Sequence, residues 1–199
     1  FGLIGVYVLE PAEPLPPMTQ EDLEFERFQI KAVSAIEEEL DRILKTRKQS
    51  RIQTIADMVI RNYGHLDEKI NFYQNLRSLE DYVSRHSLNV AILCAMITHV
   101  MNIRREEQYH TVCAALLHDM GKLKKHEDVY FGAPYSREDA IRNCETQEEA
   151  YSVIEDAFAT EGSAIRRICQ QAAGKQLDLF PEEGKESRYK MLEGSNVLL

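Results

Sequence analysis

Apolar residues recur at three- and four-residue steps along most of this chain, which is the period of amphipathic helices. Phe25, Phe28, Ala32, Ile36, Leu40 and Ile43 draw the first stripe. Thr19, followed by the acidic "QEDLE", supplies a helix start, so a long helix is expected from there to about residue 44 or 48. Ile52, Ile55, Ala56, Val59 and Ile60 mark a second helix over about 50–63, ended by Gly64. A third is expected over about 67–83. A fourth, "SLNVAILCAMITHVM", is apolar almost all round and reads as the central buried helix. A fifth runs over about 105–117. "REDAIRN", "TQEEAYSVIEDAFA" and "SAIRRICQQAA" read as further helices, and "FGAPYS" and "GKQLDLFPEEGKES" as loops.

The exception lies at the start. "LIGVYVL", residues 3–9, alternates and branches as a strand does. "EPAEPLPPM", with four prolines, then makes a stiff linker. The fold class expected is all-α: a helical bundle with a long N-terminal amphipathic helix and a small β remnant at the N-terminus. Residues 1–20 read as the end of an N-terminal module with its linker, 21–49 as a long connecting helix, and 50–199 as a helical domain incomplete at its C-terminus. The chain starts without methionine inside the strand and stops on "GSNVLL", as a piece of a longer protein would.

Composition narrows the partners. A net charge of -9 over 199 residues argues against a nucleic-acid polymer or an anionic membrane. An anionic small molecule remains open, because a bound metal outweighs the mean field. No apolar run reaches the roughly 20 residues of a membrane span. The four cysteines form no C-x-x-C pair, and two lie in apolar helical runs, as expected of buried thiols in a reduced, cytoplasmic protein.

The chemistry concentrates in "AALLHDMGKLKK", residues 114–125. An apolar helix runs into His118 and Asp119, both good ligands for divalent metals. His86, in "SRHSLNV" at the start of the fourth helix, would meet them if that helix and the 105–117 helix pack antiparallel. Gly121 is expected to let the backbone turn sharply. Lys122 would then bring an ammonium to a phosphate oxygen; its bland alternative is a solvated charge at a helix end. Among the other histidines, His65 reads as exposed or structural, His99 as a satisfied core residue, His110 as too far round its helix, and His126 as a further ligand option. No G-x-S-x-G elbow and no G-x-x-x-x-G-K-[ST] loop is present.

"DYVSRHSLNVAIL" and "AALLHDMGKL" resemble the HD superfamily of metal-dependent phosphohydrolases, and more narrowly its HD-GYP branch, whose members hydrolyse cyclic di-GMP. The resemblance is clearest over residues 70–125. It implies that His86, His118 and Asp119 are metal ligands and that Lys122 contacts the substrate phosphate. It also implies a divalent metal, iron or manganese first, with magnesium, nickel or zinc as further options. The substrate would be a small phosphodiester or nucleotide, attacked by a metal-activated hydroxide. The chain departs from the branch after Asp119: His126 is its one later histidine and no GYP segment follows. The alternative is therefore a catalytically degenerate signalling or dimerisation domain, with the long helix as a homodimer contact.

Overall fold

A computed structural model describes residues 19–66, 79–123 and 136–175. Among the described residues there are seven α-helices and no strand. They are α1 (Gln20–Thr46), α2 (Ile52–Tyr63), α3 (Leu79–Val100), α4 (Arg105–Leu117), α5 (Arg137–Tyr151), α6 (Ile154–Phe158) and α7 (Gly162–Lys175). Short 3-10 turns occupy Met120–Leu123 and Ala159–Glu161. The expected strand and linker, the helix over 67–78, the loops at 131–135 and 176–187, and His126 lie outside the described residues.

The α1 helix starts where the sequence places it. Thr19 Oγ1 accepts the Asp22 N–H at 3.1 Å and the Asp22 carboxylate accepts the Thr19 N–H at 2.8 Å, a reciprocal capping box. Its stripe of Ala32, Val33, Ile36, Leu40 and Ile43 is buried against α3 and α2. The long helix is thus part of the same core as the rest of the chain. Each such Leu or Ile contributes about 1.5–3 kcal/mol on leaving water. A buried carboxylate fixes the α1–α2 corner. Glu39, fully buried, accepts the N–H groups of Ser50 and Arg51 at 2.7 and 2.8 Å and the Ser50 hydroxyl at 2.7 Å.

Three sequence expectations are corrected. The third and fourth helices are one: α3 runs unbroken through "SRHS", because polar residues without glycine or proline do not end a helix. His86 therefore sits two turns inside α3 rather than at its start. The most enclosed helix is α4, where every residue from Thr111 to Leu117 is buried; α3 leaves Leu93, Ile97 and Val100 on an exposed face. Near-uniform apolarity signalled burial, but only one side of α3 is covered by α1, α2 and α4. Lastly, "REDAIRN" and "TQEEAY" join in α5, and the break falls at Ser152–Val153.

The α3–α4 hairpin positions the site. A tight corner over Met101–Arg104, with Asn102 left-handed at φ 54°, reverses the chain. Gln108 of α4 then donates from Nε2 to the Ala95 carbonyl and to Thr98 Oγ1, both at 3.1 Å, pinning the helices together. Packed antiparallel, α3 brings its early turns to the end of α4.

Candidate metal centre

His86, His118 and Asp119 converge. One potential ligand atom from each lies within 4.8 Å of the others. The two imidazole Nε2 atoms are 3.3 Å apart, and each is 3.7 Å from Asp119 Oδ2. Ligands held at about 2.1 Å from one ion stand about 3.0 Å apart in an octahedron and about 3.4 Å in a tetrahedron. The three atoms are within a few tenths of an ångström of such an edge, so the donor set fits a single divalent ion. Among the described residues this is the one group of at least three His, Cys, Asp or Glu ligands that converges so.

The surroundings suit each side chain to ligation. His118 Nδ1 lies 2.7 Å from the Ala115 carbonyl, which can only accept. The proton therefore sits on Nδ1, and Nε2 presents its lone pair to the site. Tyr82 stacks on the His86 ring with planes 7° apart and centroids at 5.6 Å, fixing its tilt. Burial, followed by the neighbouring His118, pushes the His86 imidazole down to about 4, so it is neutral and able to ligate at pH 7. Burial alone would raise the Asp119 carboxyl, but His118, Lys122 and His86 outweigh it and hold the group below its ordinary range.

Lys122 is buried, which removes the solvated-charge alternative. Its Nζ donates to Asp119 Oδ2 at 2.7 Å, the same oxygen that faces both imidazoles. The His86 side chain is 33% exposed, against 7–8% for Asp119 and Lys122, so the site opens to solvent on the His86 side.

Two residues of α5, read from sequence only as helix, complete the site. Gln147 donates from Nε2 to Asp119 Oδ1 at 3.3 Å and accepts the Gly121 N–H at 2.9 Å. One turn on, the Tyr151 hydroxyl donates to the His118 carbonyl at 2.5 Å. Burial keeps that phenol protonated, with its titration raised far above the ordinary range. Gln147 and Tyr151 stand four positions apart on one face of a helix, a spacing without chemical signature. Gly121 is also reinterpreted. Its φ is not left-handed; instead, a Cβ there would lie 2.6 Å from Gln147 Oε1 and 2.7 Å from the Thr146 carbonyl. The glycine permits α5 to approach, rather than the chain to turn.

Asp139, Asp156 and two further histidines stand apart. Asp139 caps α5 through Ser136, and Asp156 pairs with Arg47 at 2.9 Å. His65 and His99 are exposed at the opposite end of the hairpin, so His99 is not a core residue. The four cysteines are free, three of them buried, and burial pushes the Cys94 thiol up to about 12; none is an activated nucleophile.

The HD domain family profile matches residues 83–187, a stretch that begins three residues before His86 and includes α4, the His118-Asp119 pair, α5 and α7. The chain belongs to the HD domain family. Membership implies a metal-dependent phosphohydrolase, with His86, His118 and Asp119 as its candidate metal group. No curated protein and no solved structure matches the chain. No helix among the described residues is long and apolar enough to cross a membrane.

Proposed function

We propose that this HD domain is a phosphodiesterase of the HD-GYP-like type acting on cyclic di-GMP, with His86, His118 and Asp119 as metal ligands. The observation that carries the reading is the convergence of the three ligand atoms on a carboxylate oxygen already held by the buried Lys122 ammonium. Two imidazoles and one carboxylate with open positions suit iron or manganese, with magnesium, nickel or zinc as lesser fits. A divalent ion held by these residues would supply Lewis acidity, to activate a water and polarise the phosphoryl oxygen. The chain's own residues do the rest. His118 keeps its Nδ1 proton on Ala115, Asp119 stays ionised, and Lys122 donates to the negative charge that develops on the phosphoryl oxygens.

Three protein ligands suffice for one catalytic metal. A second ion needs more, and the described residues supply no further converging group. Turnover by this chain is therefore expected to be slow. The test is hydrolysis of cyclic di-GMP with added manganese or iron. Slow turnover that Asp119→Ala and Lys122→Ala abolish supports the proposal. Tight metal binding without turnover supports the second reading, a degenerate HD-GYP-like signalling domain, which the lack of a GYP segment favours.

We place the protein in the cytoplasm with a small-molecule phosphodiester as its partner, and with neither a nucleic-acid polymer nor a membrane. A homodimer through α1 would use the outer face of that helix, where Ile30 is exposed, since the main stripe is buried in the core.

A further inference from the structure

At the other end of the α3–α4 hairpin lies a cavity of about 500 Å³. Arg61 and His65 reach it from the end of α2, His99 from the last turn of α3, and Arg105 from the first turn of α4. Asp57 is the one acidic side chain among its described lining residues. Neither Arg61 nor Arg105 has an ion-pair partner among the described residues, whereas the adjacent Arg104 is taken by Glu107 at 2.6 Å. Arg105 is also placed against its own helix. It occupies the first position of α4, where the positive end of the helix dipole disfavours a cation, although Glu106 and Glu107 in the same turn offset that end. Both guanidinium groups are exposed, and an anion in the cavity would pair with them.

The histidines here do not form a metal site, since the converging ligand group among the described residues is at the other pole. The volume suits a small ligand. From Arg105 to His118, α4 spans about 20 Å, too far for a phosphate at the metal group to reach this cavity. We propose that the cavity is a second ligand site, for a small phosphate-bearing anion, held by Arg61 and Arg105 with His65 and His99 at its edge. It stands independently of the phosphodiesterase reading.

The test uses the full chain stripped of metal on a chelating resin, with pyrophosphate as the probe. Titration calorimetry is combined with NMR of the histidine side chains. Saturable binding is expected, moving the signals of His65 and His99 and leaving those of His86 and His118 in place. Asp119→Ala should bind equally well. Arg61→Gln and Arg105→Gln should each weaken binding about tenfold or more, as loss of a charged hydrogen bond does. Both side chains lack ion-pair partners among the described residues, so the variants should keep the wild-type melting temperature. The proposal is overturned if no saturable binding occurs, if only His86 and His118 respond, or if the double variant binds as tightly as the wild type.

Discussion

The imidazole nitrogens of His86 and His118 stand 3.3 Å apart across 32 positions of the chain. Nothing local brings them together; the α3–α4 hairpin does. Facing Nε2 atoms share at most one proton between them, and a divalent ion held there would replace that proton with a bond to each. We expect His86→Ala and His118→Ala each to lower manganese affinity by more than the about 10–100-fold typical of outer-shell changes. Calorimetry measures the loss, and circular dichroism should show unchanged helix content. Equal affinity in either variant would remove that residue from the ligand set.

Gln147 is expected to matter through Asp119. Gln147→Leu removes the donor to Asp119 Oδ1 and the acceptor for the Gly121 N–H. Metal affinity should fall about 10–100-fold. Gly121→Ala acts differently, by forcing α5 away from the turn. It should cost about 1–3 kcal/mol of stability, as overpacking does. Urea denaturation checks it, and an unchanged midpoint would mean that α5 yields freely.

Much of this candidate site was legible in the sequence because its converging residues sit beside strong local signals. The apolar run ending at Leu117 and the His118-Asp119 pair mark a helix end carrying chemistry. His86 was legible through the argument that neighbouring helices with a short connection pack antiparallel. Gln147 and Tyr151 were not, because their roles exist only once α5 docks, and polar residues on a helix face look alike from sequence. The buried face of α1 followed from its period. The exposure of Leu93 and Ile97 did not, since composition records apolarity but not which neighbours cover it.

Lys122 and Asp119 form a buried ion pair at 2.7 Å. Removing one partner leaves an uncompensated charge, which costs about 3–5 kcal/mol. Lys122→Met should therefore lower the stability of the metal-free protein by about that amount. Manganese bound at His86, His118 and Asp119 would offset the same carboxylate charge, so it should stabilise the variant more than the wild type. Thermal denaturation with and without the ion measures both. An equal metal-induced shift in the two proteins would show that Lys122 and the ion do not share Asp119.

Glu39 sets an acid limit on the fold that is separate from the candidate site. Burial raises its carboxyl, but the Ser50 N–H and hydroxyl, the Arg51 N–H and the Arg42 guanidinium outweigh that and lower it below the ordinary value. A carboxyl lowered on folding binds fewer protons in the native than in the unfolded state. Its contribution is thus fully present above the unfolded value of about 4.3 and is lost as pH falls through the lower folded value. Glu39→Gln keeps the size but not the charge: its amide oxygen can accept the N–H groups of Ser50 and Arg51 in place of Oε2, but those bonds are no longer charge-assisted, and an amide nitrogen in place of Oε1 cannot accept from the Arg42 guanidinium. At pH 7 the variant should be less stable by about 1–2 kcal/mol, the worth of the lost charge-assisted bonds. Between about pH 5 and pH 3 the two proteins should converge, because the wild type alone loses this term. Asp119 adds an acid loss of the same sign, but it is common to both proteins and cancels in the difference. Urea titrations at intervals across that range give the difference directly. Parallel stability curves would show that ionised Glu39 does not hold the α1–α2 corner.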